Sequence, residues 1–465
     1  MKSKNTFNPL SSKIRQSLRK ILGSRLLEGK EDLWAYSYDA SGLTFLPEAV
    51  ALPETGEEVA AILRLASEEH FPVIPRGAGT ATTGAPLAVA GGLVLALTKM
   101  DRILEINEED LVAVVEPGVP TGRLKKEVAY RGLFYPPDPA SYQFSTIGGN
   151  VATCAGGPKG LKYGVTKDYV LGLEVALASG ELVFLGTRTV KGVVGYDLVH
   201  LFVGSEGTLG VITKIILKLL PKPRSQAVVM VGFETVEEAA ISFGQILKGG
   251  ILPATAELMD EVTIEATSRL LEVPLPKRIK ALLILEVDGS PLQVKEELKA
   301  LKKVLGHSPF YQEGLQEEER EEIWRIRRSI SPALKTIAPN KIADDVVLPR
   351  RRVVQFLNFV KNLSTENRVI IACFGHLGDG NIHVNLLFDT NDPWQREKAL
   401  SCREEILNEV LRLSGTISGE HGLGFSKRGY FPREIPPSVQ DLMYQLKKIF
   451  DPAGILNPGK IFPPH

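Results

Sequence analysis

The sequence predicts an α+β chain of two or three domains, and three observations carry that prediction. At 465 residues the chain is too long for one ordinary core. Its hydrophobic fraction of 44% and charged fraction of 24% are those of a globular protein. The texture also changes at Pro221-Lys222-Pro223. Before that point, strands run into glycine-rich turns; after it, strands and helices alternate as in a ferredoxin-like antiparallel sheet.

Composition narrows the function. Lys+Arg and Asp+Glu both number 55, so no net field recruits nucleic acid. Cys154, Cys373 and Cys402 are odd in number and far apart, which argues against a disulfide framework and favours a reducing compartment. Three cysteines also exclude a four-cysteine iron–sulfur cluster held by this chain alone. No apolar run reaches the length of a membrane span. Residues 1–27 are basic and free of acid, like a transit peptide. Yet Ser11 to Leu27 also reads as an amphipathic helix with Ile14, Leu18, Ile21 and Leu22 on one face. A structural helix and a cytoplasmic address, peripheral to a membrane only through a partner, are the expectation.

In chain order, Thr55 and Glu58 form a capping box opening a helix to about Glu69. An apolar strand at Phe71 to Ile74 runs into Pro75-Arg76-Gly77-Ala78-Gly79-Thr80, where missing Cβ atoms let backbone N–H groups approach a phosphate. The third glycine of a Rossmann fingerprint is replaced by Thr82, and Leu93 to Leu97 reads as a strand, so that fold is not predicted. After a strand at Leu111 to Val115 and a helix at Thr121 to Arg131 comes a long segment from Tyr135 to Gly164. It is rich in glycine and proline, with Ser145, Thr146 and Asn150 interleaved, and suits a large, flat, phosphate-bearing ligand held by backbone. Strands at Val170 to Ala178 and Glu181 to Leu185 form a hairpin through Ala178-Ser179-Gly180. Gly204-Ser205-Glu206-Gly207 lacks the spacing of a hydrolase elbow. Beyond the Pro221 boundary, Gln316 to Lys335 is expected as one charged helix with an apolar stripe and with Arg327 and Arg328 beside it.

Val369 to Phe388 concentrates the chemistry. Two of the seven histidines, His376 and His383, flank Gly378-Asp379-Gly380, which predicts a strand, a tight turn and a second strand. The turn brings both imidazoles to one end of a sheet, and Asn385 shares the face of His383. Downstream, Ser418-Gly419-Glu420-His421-Gly422 adds a carboxylate and a third imidazole. His376, His383 and Glu420, with His421 left over, make a ligand set suited to a catalytic divalent metal.

Taken together, PRGAGT, PPDPAS, TIGGNVA, GGPKGLKYG, GSEGTLGVIT, GHLGDGNIHVN, SGEHGLG and DPAGILNPGK resemble the FAD-linked oxidases of the vanillyl-alcohol oxidase type. Within these, the likeness is strongest to the flavin subunit of glycolate oxidase and to FAD-dependent D-lactate dehydrogenases, over about residues 30 to 463. The resemblance implies a PCMH-type FAD-binding domain of two α/β subdomains at 1–221. It further implies a cap domain supplying the substrate pocket at 222–424 and a tail at 425–465 completing the FAD site. Arg76, Gly77, Ala78, Gly79 and Thr80 would cradle the pyrophosphate, with Thr83 and Gly84 close by. Ser145, Thr146, Gly149, Asn150, Gly156 and Ile212 would line the flavin, and Asn457 would approach from the tail. With no histidine between His70 and His200, the FAD would be non-covalent.

The same resemblance assigns His376, His383 and Glu420 as ligands of zinc, iron or manganese and His421 as the base. Asn385 would lie near the substrate, and Arg327, with Arg328 as the fallback, would bind its carboxylate; Lys341 is placed only approximately as a further neighbour. The implied activity is FAD-dependent oxidation of a D-2-hydroxy acid, glycolate or D-lactate, to the 2-oxo acid. Electrons would pass to an iron–sulfur subunit, an electron-transferring flavoprotein, a quinone or oxygen, and a homodimer is allowed. The alternatives are D-2-hydroxyglutarate dehydrogenation, non-redox alkyl transfer on FAD, and a non-catalytic FAD subunit of a larger oxidase.

Overall fold

A computed structural model describes residues 7–273 and 275–463. The chain divides into two compact units. The first comprises residues up to Ala155, Val165–Lys222 and Glu420 onward, and the second Gly156–Gly164 with Pro223–Gly419. The expected insert at 222–424 compares with Pro223–Gly419. The inclusion of Gly156–Gly164 in the second unit was not foreseen.

In the first unit, the helix Ser12–Leu22 is capped by the Ser11 hydroxyl, which accepts from Ile14 N at 3.3 Å. It buries Ile14, Leu18 and Leu22 in the core, so the N-terminal stripe is spent on packing. The strands are β1 (Leu26–Leu27), β2 (Ala49–Ala51), β3 (Val73–Arg76), β4 (Leu93–Ala96), β5 (Ile103–Asn107), β6 (Val112–Val115), β7 (Leu133–Phe134), β8 (Val170–Ala176), β9 (Leu182–Gly186), β10 (Val211–Lys218) and β11 (Leu220–Pro221). A four-stranded sheet has the order β1-β2-β4-β3, with β2, β4 and β3 parallel. The helix Gly56–Glu69, capped by Thr55, packs its Val59, Ile62 and Leu63 in the same core. A five-stranded antiparallel sheet has the order β5-β6-β10-β8-β9. The tail closes on the free edge of β3: Val73 N donates to Ile455 O at 2.9 Å and Asn457 N to Val73 O at 2.8 Å. An isolated bridge, Val73 to Leu456, thus covers part of that edge.

The second unit is built on one antiparallel sheet of β12 (Ser225–Phe233), β13 (Thr255–Asp260), β14 (Ala281–Gly289), β15 (Phe310–Gly314), β16 (Asn340–Val347), β17 (Ile370–His376) and β18 (Asn381–Phe388). Its order is β15-β12-β14-β13-β17-β18-β16. β12 to β15, with the helices Val236–Lys248 and Pro291–Leu305 after the first and third of the four in the chain, have the strand order of the ferredoxin-like layer that alternation predicted, with a further helix, Glu261–Leu271, inserted between β13 and β14. β17, β18 and β16 extend it by three strands. The expected helix over 316–335 is interrupted: it runs Glu317–Arg328 and resumes as Ile330–Leu334. Pro332 lacks the N–H that would bond to the Arg328 carbonyl, and its ring crowds that carbonyl. The apolar stripe still packs, with Ile323, Ile326 and Ile330 buried against Met259 and Ile284.

Candidate functional site

The first unit carries a cavity lined mostly by small residues. Arg76 to Thr80, Ser145, Thr146, Gly149, Asn150 and Ile212 line it, together with Thr82, Glu206, Glu420 and His421. Thr83, Gly84, Gly156 and Asn457 do not line it, although the resemblance placed them near the cofactor. Thr83 Oγ1 donates instead toward His421 O, and Asn457 Nδ2 donates to Ala85 O at 3.0 Å and Glu206 O at 2.7 Å. Gly84 N donates to Asp39 Oδ2, and Gly156 belongs to the second unit.

Sterics explain the glycines. A Cβ on Gly77 would come within 2.4 Å of Thr146 Oγ1, and one on Gly79, at φ +75°, within 2.1 Å of Arg76 Nη2. Thr146 caps the helix Ile147–Thr153 by accepting from Gly149 N at 3.2 Å, so a helix N-terminus is held at the cavity wall.

These residues fit a phosphate-bearing cofactor. Arg76 is buried, its Nη2 donates to Tyr38 O at 2.8 Å, and its Nη1 has no protein partner. Burial holds its pKa below the ordinary arginine value. The buried Thr82 hydroxyl is likewise without a protein partner. Unpaired buried donors cost free energy, and the oxygens of a pyrophosphate would satisfy them.

In the second unit, the histidine segment folds as the sequence predicted. β17 ends at His376, Gly380 N donates to His376 O at 2.9 Å to close the turn, and β18 begins at Asn381. Register pairs His376 with Asn381, Phe374 with His383 and Ala372 with Asn385, so these six share a face. The rings of His376 and His383 lie 5.3 Å apart at 86°. On β16, Asp345 pairs with His383 and accepts from Gly419 N at 2.8 Å. Glu420 follows Gly419 directly in the chain. The imidazole and carboxylate of His421 and Glu420 approach to 3.8 Å.

One residue behind this group escaped sequence reasoning. Glu257, fully buried on β13, pairs in register with His376 and hydrogen-bonds its Nδ1. It also accepts from Arg327 Nε at 2.6 Å. Burial would raise its pKa, but the charges and hydrogen bonds of His376 and Arg327 prevail and hold it at about 2. A carboxylate on Nδ1 fixes the ring and leaves Nε2 for another ligand. The only signal in the sequence was an acid inside the apolar run AELMD.

Arg327 stacks over Phe374 at 4.7 Å, so its guanidinium lies on the face that carries the two histidines. Arg328 is exposed and pairs with Glu321, which separates the two arginines that spacing could not. Asn385 is buried, and its Nδ2 has no protein partner. Lys341 shares the Asn385 face on β16, with its Nζ on Ser331 Oγ at 2.8 Å, and burial lowers its pKa.

Comparisons with known proteins agree with this picture. Residues 222–461 match the C-terminal domain of FAD linked oxidases, and residues 47–186 match an FAD binding domain. The chain is 40% identical over 430 residues to glycolate oxidase subunit GlcD of Bacillus subtilis, covering 92% of each. It is 32% identical over 479 residues to D-lactate dehydrogenase of Anaerostipes hadrus, covering 99% of each. Among solved structures, p-cresol methylhydroxylase with substrate bound superposes with a TM-score of 0.78 at 19% identity over 96% of both chains. The 4-ethylphenol oxidase of Gulosibacter chungangensis gives 0.76 at 20%, over 98% of this chain and 99% of that one. These structures share the PCMH-type fold. With sequence, fold and cavity in accord, the chain belongs to the FAD-linked oxidases and is an FAD-linked oxidoreductase.

Proposed function

We propose that this enzyme oxidises a small D-2-hydroxy acid, glycolate or D-lactate, to the corresponding 2-oxo acid. The observation that carries the reading is the pair of imidazoles, His376 and His383, on one face of the sheet, with Asp345 of the same sheet holding Gly419 just ahead of Glu420 and His421 in the chain. The names of the relatives, glycolate oxidase subunits and D-lactate dehydrogenases, support the substrate class. Bound FAD would supply the hydride acceptor, chemistry that no side chain offers. A zinc, iron or manganese ion on His376, His383 and Glu420 would supply Lewis acidity toward the substrate hydroxyl.

The chain's own residues do the rest. His421 takes the hydroxyl proton, since an imidazole exchanges protons near neutral pH. Arg327, anchored through Nε to Glu257, presents its remaining N–H groups to the substrate carboxylate. Asn385 donates its unpaired Nδ2 to a substrate oxygen. Glu257 keeps His376 in the tautomer whose Nε2 can bind a cation. The cap domain, 222–424, supplies Arg327, Asn385 and the two histidines, and the flavin is non-covalent.

Electrons leave to a separate acceptor. An iron–sulfur subunit, an electron-transferring flavoprotein or a quinone fits, and the naming of the GlcD relatives as subunits favours a partner polypeptide. The test is anaerobic titration of the holoenzyme with glycolate, D-lactate and D-2-hydroxyglutarate, following flavin absorbance. One of the first two is expected to bleach the flavin in the wild type. In His421→Ala the rate should fall by about 10²–10⁴ with FAD still bound. Preferential bleaching by D-2-hydroxyglutarate, or an unimpaired His421→Ala variant, overturns the reading.

A further inference from the structure

One of the acids at the cavity wall, Glu206, also holds the segment that carries Glu420 and His421. Glu206 sits in the turn between Phe202 and Val211 at φ +50°, only 6% exposed. The turn is pinned to the helix Ile147–Thr153 by Gly204 N to Val151 O at 2.9 Å and Glu206 N to Ala152 O at 2.8 Å. Its carboxylate spans two consecutive amides: Oε1 accepts from Leu423 N at 2.8 Å and Oε2 from Gly424 N at 2.9 Å. These amides lie two and three residues beyond His421.

Thr83 grips the other side of the same loop. Its carbonyl accepts from Phe425 N at 2.9 Å and Ser426 N at 3.0 Å, and its hydroxyl reaches His421 O at 3.4 Å. The loop has no slack. A Cβ on Gly422 would meet Glu206 Oε1 at 2.5 Å, and one on Gly424 would meet Thr83 O at 2.5 Å. The Glu206 carbonyl accepts from Asn457 Nδ2, whose Oδ1 accepts from Lys460 Nζ at 3.0 Å; Lys460 Nζ also donates to Leu87 O at 2.6 Å. Four sequence motifs thus meet in one buried polar network.

Burying an acid is costly. Desolvation pushes Glu206 up to about 7 despite the two amides and the charges of Lys460 and Lys427. A glutamine could not replace it isosterically, because only one of its two terminal atoms accepts hydrogen bonds. We propose that Glu206 is a positioning residue whose carboxylate fixes the backbone at Leu423 and Gly424, and so the placement of Glu420 and His421. The inference rests on the working roles given to those two residues above.

The test is Glu206→Gln in the holoenzyme. FAD content should equal the wild type, and tryptic cleavage at Lys427, which is 2% exposed, should accelerate several-fold. The limiting rate of flavin reduction by D-lactate or glycolate should fall by about 10²-fold, as for a displacement near 1 Å, while the apparent substrate dissociation constant changes less than about twofold. Unchanged proteolysis with unchanged reduction overturns the proposal, and so does loss of FAD. Hydrogen exchange in the wild type serves if the variant does not fold: Leu423 and Gly424 amides must be protected, and rapid exchange there refutes the anchor. If neither acid reduces the wild-type flavin, the functional reading fails while proteolysis and exchange still decide the anchor.

Discussion

The glycine-lined cavity of the first unit and the histidine face of the second are built by opposite means. The cavity works by omission: Gly77 and Gly79 stand where any Cβ would strike Thr146 or Arg76, leaving main chain and two unpaired donors exposed to a ligand. The histidine face works by side chains of long reach, set by strand register and then braced by a buried carboxylate on a neighbouring strand. A backbone site fails when something is added, and a side-chain site fails when something is taken away.

That contrast can be broken experimentally. The largest effect is expected from Gly79→Ala, which combines a left-handed φ of +75° with a clash on the buried Arg76. Strain of about 1–2 kcal/mol plus loss of the Arg76 position should reduce bound flavin by at least about tenfold. Flavin absorbance per chain after purification measures it, and full occupancy would show that the cavity is not the cofactor site.

Glu257→Gln sharpens the other half. With the His376 brace weakened, affinity for an added divalent ion should fall about 10–100-fold with FAD content unchanged. Chelator competition followed by metal analysis reads this, and equal affinity would reduce Glu257 to a packing role. The smallest effect is expected at Asp260, which caps the helix Glu261–Leu271 by accepting from Thr263 N and also accepts from Cys373 N.

Burial lifts the Asp260 pKa to about 6, against the hydrogen bonds that lower it. Folded chain therefore holds this proton more tightly than unfolded chain. The resulting stabilisation is present below the ordinary carboxyl range and is lost as pH rises through about 6. Asp260→Asn should destabilise by about 1 kcal/mol, with a larger drop in melting temperature at pH 5 than at pH 7.5. A pH-independent difference would mean that Asp260 does not titrate in that window.

How much could be read beforehand follows from the same contrast. The His376–His383 hairpin was legible because its turn, alternation and chemistry are local in sequence. The glycine-rich cavity was legible as backbone, but not which residues face inward: Asn457 and Thr83 serve the framework instead, and Thr82 was passed over. Glu257 was invisible because its partner lies 119 residues away across a strand pair. The break at Ser329 could have been read from Pro332, but helical periodicity on both sides hid it. No helix among the described residues is long and apolar enough to cross a membrane, in line with the hydropathy reading.

The nine residues Gly156–Gly164 have a consequence for anyone dissecting this protein. They lie inside the stretch that matches an FAD binding domain, yet they group with the second unit, where Lys159 pairs with Glu286, and Lys162 and Tyr163 bond Asp288 at 2.6 and 2.8 Å. Glu286 and Asp288 are 5% and 2% exposed. A fragment expressed as Pro223–Gly419 would therefore lack the cations that neutralise two interior acids, and it would be an incomplete half however well its sheet is drawn. The domain boundary seen along the sequence is not a place to cut; the borrowed loop must travel with the piece that borrowed it.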